Sequence, residues 1–317
     1  MTPVQKGVIG LIIANIIWGF ASPIFKWSLT NIPPFTLAFL RFFIASIILG
    51  IVLRKNLALP IKDKHDVKLL IIHALTGITG NITLFFLGLQ LTLAINVPVI
   101  ASSQPIMIFL FAYLILKEKL KLNKVLGMIV GTIGILAIVL EPIYYAGIDG
   151  NTLGNFLIVL ATISGAIAML IGRQLFQKYD PLVLMFWAFV IGTLSFLPPA
   201  LVEYIRQPTI FQTLDIRGIV GIIFGSVFSS TIAYTLYAYG LSKIQASDAS
   251  LFIYIDPIAG AVLSYFMLHE PITIPFLIGA GLIFTGIYIA ERRIHYHPFG
   301  KLRIKCPDCQ TNQSHVK

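Results

Sequence analysis

Residues 104–118, QPIMIFLFAYLILKE, and residues 256–270, DPIAGAVLSYFMLHE, lie 152 positions apart and read as two copies of one helix. In each, a polar residue precedes proline, tyrosine follows eight residues later, and glutamate closes the stretch. The match runs outward without a gap: Ala94 falls on Ala246, Gly127 on Gly279 and Gly134 on Gly286. The chain is therefore a duplication. Each copy holds five hydrophobic segments, an odd number, so the second copy must enter a membrane facing the other way. The fold class expected is an all-α polytopic membrane protein, ten transmembrane helices arranged as two inverted five-helix repeats. Inverted repeats are typical of secondary transporters, whose substrate site lies where the repeats meet.

Composition allows little else. The chain is 57% hydrophobic and 11% charged, with a mean hydropathy of +0.89, more apolar surface than a soluble core could hide. Spans of about 18–25 residues, enough to cross the hydrocarbon as helix, are placed near 7–29, 35–53, 69–90, 96–116, 123–141, 152–172, 182–203, 217–240, 247–268 and 273–291. Residues 1–141 form the first repeat, 142–151 a turn-rich linker, 152–291 the second repeat and 292–317 a tail. The first span is too long for a signal-peptide core, contains Asn15 and Lys26 and lacks a small-residue cleavage site, so it is expected to be retained.

The net charge of +10 is topological. With the N-terminus inside, 19 of the 23 Lys and Arg residues fall on the inner side, only Arg206 and Arg217 lie outside, and Lys26 and Arg41 sit within spans. That bias puts both termini in the cytoplasm and leaves no case for a nucleic-acid partner. The partners expected are a small-molecule substrate and the lipid bilayer. No G-x-x-x-x-G-K-[ST] stretch is present and no cofactor is expected. Gly127-x-x-x-Gly131 and Gly221-x-x-x-Gly225 permit close helix approach, within one protomer or between two as a homodimer. In the tail, Cys306 and Cys309 form one CxxC, half a zinc site, and are read as free thiols in preference to metal ligands.

Trp18-Gly19, Arg41-Phe42, the run from Gln104-Pro105 to Lys117-Glu118, and its copy from Asp256-Pro257 to His269-Glu270 resemble the EamA family of the drug/metabolite transporter superfamily. The resemblance covers residues 7–291. It implies ten helices, with helices 1–4 and 6–9 around a central cavity and helices 5 and 10 at the periphery. It implies a permease or exporter, with family substrates ranging over amino acids, other metabolites and drugs. The compact ten-helix chain suits a bacterial inner membrane.

Asp256 is the sharpest single residue. Counted from the inner start of its span at 1.5 Å per residue, it lies about 14 Å deep, near the bilayer centre. An acid there is expensive and usually marks an ion, proton or substrate path. Alternatively it caps backbone broken by Pro257, whose missing N–H frees the carbonyl of Ile253. Gln104-Pro105 is the counterpart in the first repeat and frees the carbonyl of Ala101. Two proline-interrupted helices at matching places point to a transporter's central site.

Asn15, Trp18, Ser22 and Lys26 recur at steps of three and four and share one face of the first helix. Lys26 is expected to snorkel to the outer interface. Arg41 lies about 10 Å deep. It is expected to be a counter-ion for Asp256, a clamp for a substrate carboxylate, or a structural pair with backbone carbonyls. Asn81 and Phe85, with Ser230, Tyr234, Tyr237, Phe252 and Tyr254, would complete an aromatic, partly polar cavity for a small amphipathic molecule. Glu118 and Glu270 are read as helix-end residues. An intramembrane aspartyl protease using Asp248 and Asp256 fails on geometry, because eight residues along one helix separate the carboxylates by about 12 Å. A membrane sensor or scaffold without transport is the remaining alternative.

Overall fold

Ten helical rods make up nearly all of the described chain, and each coincides with one of the ten hydrophobic spans. The structure is a computed structural model that describes residues 2–54, 57–58, 61, 63–116, 122–146, 150–244 and 249–291. The rods are α1 (Pro3–Ser28), α2 (Pro34–Leu53), α3 (Lys64–Leu91), α4 (residues 96–116) and α5 (Leu122–Ala146). The second repeat supplies α6 (Gly150–Lys178), α7 (Pro181–Arg206), α8 (Ile216–Lys243), α9 (residues 250–268) and α10 (Ile274–Glu291). No strand occurs among the described residues. The linker is shorter than the sequence suggested: α5 continues through Pro142 to Ala146 and α6 begins at Gly150. Glu118, Asp248, Cys306 and Cys309 lie outside the described residues.

Local chemistry sets the helix starts. Asp63, Asp180 and Asp215 each accept a bond from a backbone N–H two residues on, at His65, Leu182 and Arg217. Thr2 and Gln5 form a reciprocal capping box. Two starts lack a local cap and borrow one from the other repeat. At α2, Glu203 of α7 accepts from Phe35 N at 3.1 Å, and from Thr36 N and Oγ1 at 2.6 and 2.8 Å. Ahead of α4, Glu270 accepts from Ala94 N and Ile95 N, both at 2.8 Å. The first N–H groups of a helix have no partner inside it, so these carboxylates satisfy donors that the low-polarity surroundings would otherwise leave bare.

Six of the rods are long and apolar enough to cross a membrane, and α9, α10 and part of α5 are shorter apolar helices. Their outward faces carry Ile51, Val52, Ile205, Ile258 and Phe266, all more than half exposed, an apolar girdle suited to lipid. The protein is an integral membrane protein. Lys6, Lys64, Lys68, Lys178 and Lys243 cluster at one end of the bundle, called the basic end below, whereas Glu203, Asp215 and Glu270 mark the far end.

Packing repeats the duplication. The α5 and α10 rods cross through glycines that exchange roles between the halves. A Cβ on Gly134 would stand 2.7 Å from Gly279 O, and one on Gly286 would stand 2.6 Å from Gly127 O. Such reciprocal contact is the signature of a two-fold interface. Gly127-x-x-x-Gly131 is thus consumed within the protomer. So is Gly221-x-x-x-Gly225, which lies against Ser28, Phe25 and Arg41. The α2 and α7 rods meet through Phe42, whose ring lies 5.5 Å from Phe189 and 5.9 Å from Phe196.

Irregular backbone is also paired between the repeats. The α4 rod runs as helix over Asn96–Ala101, turns at Ser102 and Ser103, and resumes at Gln104. The α9 rod begins as a 3-10 helix over Ser250–Tyr254 and becomes α-helical at Ile255. Both irregularities precede the polar-Pro pair, the one following Ala101 and the other including Ile253, the residues whose carbonyls proline leaves without a helical donor. Less expected are π-helical stretches at Leu75–Gly80 in α3 and Phe224–Tyr234 in α8. Shifted by 152, the first falls on 227–232, inside the second. Such stretches are rare and concentrate at functional sites.

A cavity between the repeats

The two helix breaks and the two π stretches surround one internal cavity of about 210 Å³. Its walls come from α1 to α4 and α6 to α9, with no residue from α5 or α10 among the described residues. Of the sequence candidates, Asn15, Trp18, Arg41, Asn81, Gln104, Tyr234, Tyr237 and Asp256 all border it. Three expected wall residues do not. Ser230 is fully buried behind the wall and bonds Arg41, Phe252 packs into the apolar core with Ile253 taking its place, and Tyr254 sets its ring 6.0 Å from Phe284 of α10. Pro105 and Pro257 are buried at the breaks and shape the backbone without facing the cavity.

Equivalent helices of the two repeats make equivalent contacts. The α1 and α6 rods correspond at an offset of 146, which pairs Trp18 with Ser164 and Gly19 with Gly165. Trp18 Nε1 donates to Ser229 O in the π stretch of α8 at 3.1 Å, and Ser164 Oγ donates to Thr76 O in the π stretch of α3 at 2.7 Å. A Cβ on Gly19 would lie 2.8 Å from Asp256 O, so only glycine lets the broken α9 approach this closely. On Gly165 it would lie 3.2 Å from Asn81 Nδ2 and 3.5 Å from Gln104 Nε2, which brings both amides to the same spot. Asn81 Nδ2 donates to Ala161 O at 2.7 Å, and Asn15 Nδ2 donates to Leu11 O of its own helix at 2.7 Å.

Side-chain chemistry then differs between the halves. In the second repeat the cavity wall is Tyr234 and Tyr237, with ring centroids 5.1 and 4.9 Å from Trp18. Arg41 is 2% exposed; its Nε donates to Ser230 Oγ at 2.6 Å and one terminal nitrogen to Ser229 Oγ at 3.0 Å. Its guanidinium carbon lies 5.1, 4.9 and 5.9 Å from the ring centres of Phe25, Phe42 and Tyr234. Arg41 is therefore held by hydroxyls and aromatic faces, and no ion pair joins it to Asp256. The expected counter-ion role is corrected accordingly, as is pairing with carbonyls: serine hydroxyls fill that place. Asp256 is 7% exposed and its Oδ1 is buried with no hydrogen-bond partner among the described residues.

Toward the far end, the ring of Phe25 meets those of Phe85, Phe86 and Phe224 at 6.3, 5.1 and 5.6 Å and forms an aromatic layer. Lys26 does not snorkel. Its Nζ turns inward to the carbonyls that end α3, Leu89 O at 3.0 Å and Thr92 O, and it interacts electrostatically with Glu270. The two π stretches, Ser229 and His73 escaped the sequence reading. His73 carried a signal, being an ionisable residue inside an apolar span.

Comparison with known proteins fits this architecture. A model of the EamA-like transporter family matches twice, over residues 5–140 and 152–291. A protein of Archaeoglobus fulgidus named an uncharacterized transporter is 30% identical, the alignment covering 91% of this chain and all of that one. The uncharacterized transporter YoaV of Bacillus subtilis is 26% identical over 90% and 96% of the two chains. A solved crystal structure superposes with a TM-score of 0.64 at 18% identity, covering 93% of this chain and all of that one, a likeness of fold. With one family's pattern present in both halves, across a cavity walled by the eight helices that the pattern implies, the chain belongs to the EamA-like transporter family.

Proposed function

We propose that the protein carries a small, amphipathic organic metabolite, such as an amino acid or related compound, across a cell membrane by alternating access. The basic end faces the cytoplasm, following the charge bias of the loops. The two repeats rock about the cavity, which is opened in turn to either side. One observation carries the reading: a buried carboxylate with an unpartnered oxygen, Asp256 Oδ1, at a helix break inside a cavity shared by the repeats. A bare carboxylate oxygen there is costly unless a proton or a cationic group of the solute meets it during the cycle.

Purified protein in proteoliposomes should exchange solute in a saturable way when a panel of metabolites is screened by counterflow. Asp256→Asn keeps the shape and removes the titratable charge. If the acid carries the coupled proton, the variant loses flux driven by a pH gradient and keeps exchange at equal pH. If it binds a cationic group, both fall. Saturable flux that is unchanged under both conditions, in correctly inserted protein, refutes the assignment to Asp256. Absence of flux for the wild type across the panel favours a sensor or scaffold.

A further inference from the structure

The cavity wall also carries an imidazole nitrogen that has no partner among the described residues. His73, on α3 toward the basic end, is 8% exposed and borders the cavity. Its Nδ1 lies 2.9 Å from Ala168 O. A carbonyl oxygen can only accept, so Nδ1 carries the hydrogen and, in the neutral ring, Nε2 keeps its lone pair. No hydrogen bond to Nε2 is made by the described residues. The seat holding the ring is shaped to it. Phe176 stands perpendicular at 5.4 Å, and a Cβ on Gly172 would fall 2.6 Å from Cε1. Any side chain at 172 would displace the imidazole. With Nδ1 engaged, Nε2 is the ring nitrogen left to accept a hydrogen bond.

Arg41, Asp256 and His73 are the ionisable Arg, Asp and His residues on the cavity wall. The Arg41 guanidinium gives Nε to Ser230 and Nη2 to Ser229 and lies among three rings, and its Nη1 makes no hydrogen bond to the described residues. Asp256 Oδ1, His73 Nε2 and Ser22 Oγ on the wall have no hydrogen-bond partner among the described residues, and of these the Ser22 hydroxyl can donate as well as accept. Trp18 and Tyr237, ring centroids 4.9 Å apart, also line the cavity, and aromatic faces favour an alkyl stem or a cation over an anion.

Resting on the transport reading above, we propose that His73 is a substrate-contacting residue and that the solute is an organic amine with a second N–H or O–H group. The amine sits at Asp256, and the second group donates to His73 Nε2. A simple alkylamine leaves His73 Nε2 without a donor.

The test measures binding, separately from flux, on the purified full-length protein in detergent. The probes are n-alkylamines with butyl to octyl chains and the matching ω-amino alcohols, titrated calorimetrically. The amino alcohol of best-fitting length should bind at least ~10-fold more tightly than its alkylamine, as expected for a hydrogen bond to a buried, otherwise unpaired acceptor. His73→Asn retains a donor where Nδ1 stands and deletes the acceptor, and it should reduce that preference to within ~2-fold. His73→Gln places an amide oxygen near Nε2 and should keep most of it. Asp256→Asn should weaken both probes. A merely structural histidine reverses the order, since Asn keeps the Ala168 bond and Gln loses it. Amino alcohols that bind no better than alkylamines at any length overturn the His73 subsite. Failure of every amine to bind overturns the substrate class. In either case, saturable counterflow of another solute leaves the transport reading standing.

Discussion

Replacing Glu270 tests whether the repeats are joined through each other's helix ends. The carboxylate is 6% exposed and holds Ala94 N and Ile95 N at 2.8 Å each, ahead of the first turn of α4. A hydrogen bond to a charged group contributes roughly 1.5–3 kcal/mol. Glu270→Ala removes two such bonds from a helix start that has no side-chain cap of its own. Water entering the vacated space recovers part of the loss, so the net destabilisation expected is about 2–4 kcal/mol. Glu270→Gln keeps one acceptor oxygen and turns an NH2 group toward the other donor, which should cost about 1.5–3 kcal/mol, less than alanine. Reversible unfolding by SDS in mixed micelles, followed by tryptophan fluorescence and circular dichroism, gives the order directly. Glu270→Ala within about 0.5 kcal/mol of wild type, the range of an ordinary surface substitution, would refute the capping role. So would a glutamine variant weaker than the alanine one.

Other consequences can be checked with the same protein. Gly134→Ala and Gly286→Ala should each destabilise by about 1–3 kcal/mol through overpacking against backbone, and by similar amounts, while solute binding is unchanged; a large difference between them would argue against the reciprocal α5–α10 crossing. At the far end, the Arg217 guanidinium bonded to Asp215 holds that carboxyl below its ordinary range. The stability it contributes should be complete above the ordinary carboxylate range and lost as pH falls through the lowered value, and Arg217→Gln should move that loss to higher pH in acid unfolding curves. At the basic end, the bond from Tyr179 to Asp66 raises the phenol above its ordinary value. That contribution persists below the ordinary phenol range and disappears as pH rises through the raised one, a transition that ultraviolet absorbance of Tyr179 should report and Asp66→Asn should shift downward. In a variant lacking Cys306 and Cys309, cysteines placed between residues 56 and 63, ahead of α3, should react only from the cytoplasmic side and one at Asn151 only from outside; labelling of position 151 from the cytoplasm would overturn the orientation.

Ten spans and their breaks were legible because hydrophobic length and proline act locally, and the 152-residue offset exposed the duplication without any knowledge of contacts. Asp256 was legible for a related reason, as an acid that has no inexpensive place inside a bilayer. The partners of Arg41 and Lys26 were not. Both are long side chains whose reach exceeds the resolution of a depth estimate, and what they meet is a serine pair in a π stretch and the end of another helix. Nor does composition announce the π stretches: LTGITG and FGSVFSSTIAY read as ordinary small-residue helix, and the extra residue shows only in the backbone. Phe252 illustrates the limit of counting aromatics, since one position along a 3-10 turn decides whether a ring faces the cavity or the core.

A widened helical turn is a place where one residue is held in reserve. Returning such a turn to the ordinary α repeat would re-index everything beyond it by about 100° with an axial step near 1.5 Å. Such a step leaves the rod intact and changes which side chains it displays. In α3 the reserve lies between His73 and Asn81, and in α8 it ends at Tyr234, three residues before Tyr237. Because the two rods run through the repeats in opposite senses, their twists would be of opposite hand as seen from either side of the bundle. A return of both turns to the α repeat would rotate the cavity lining without unwinding a helix.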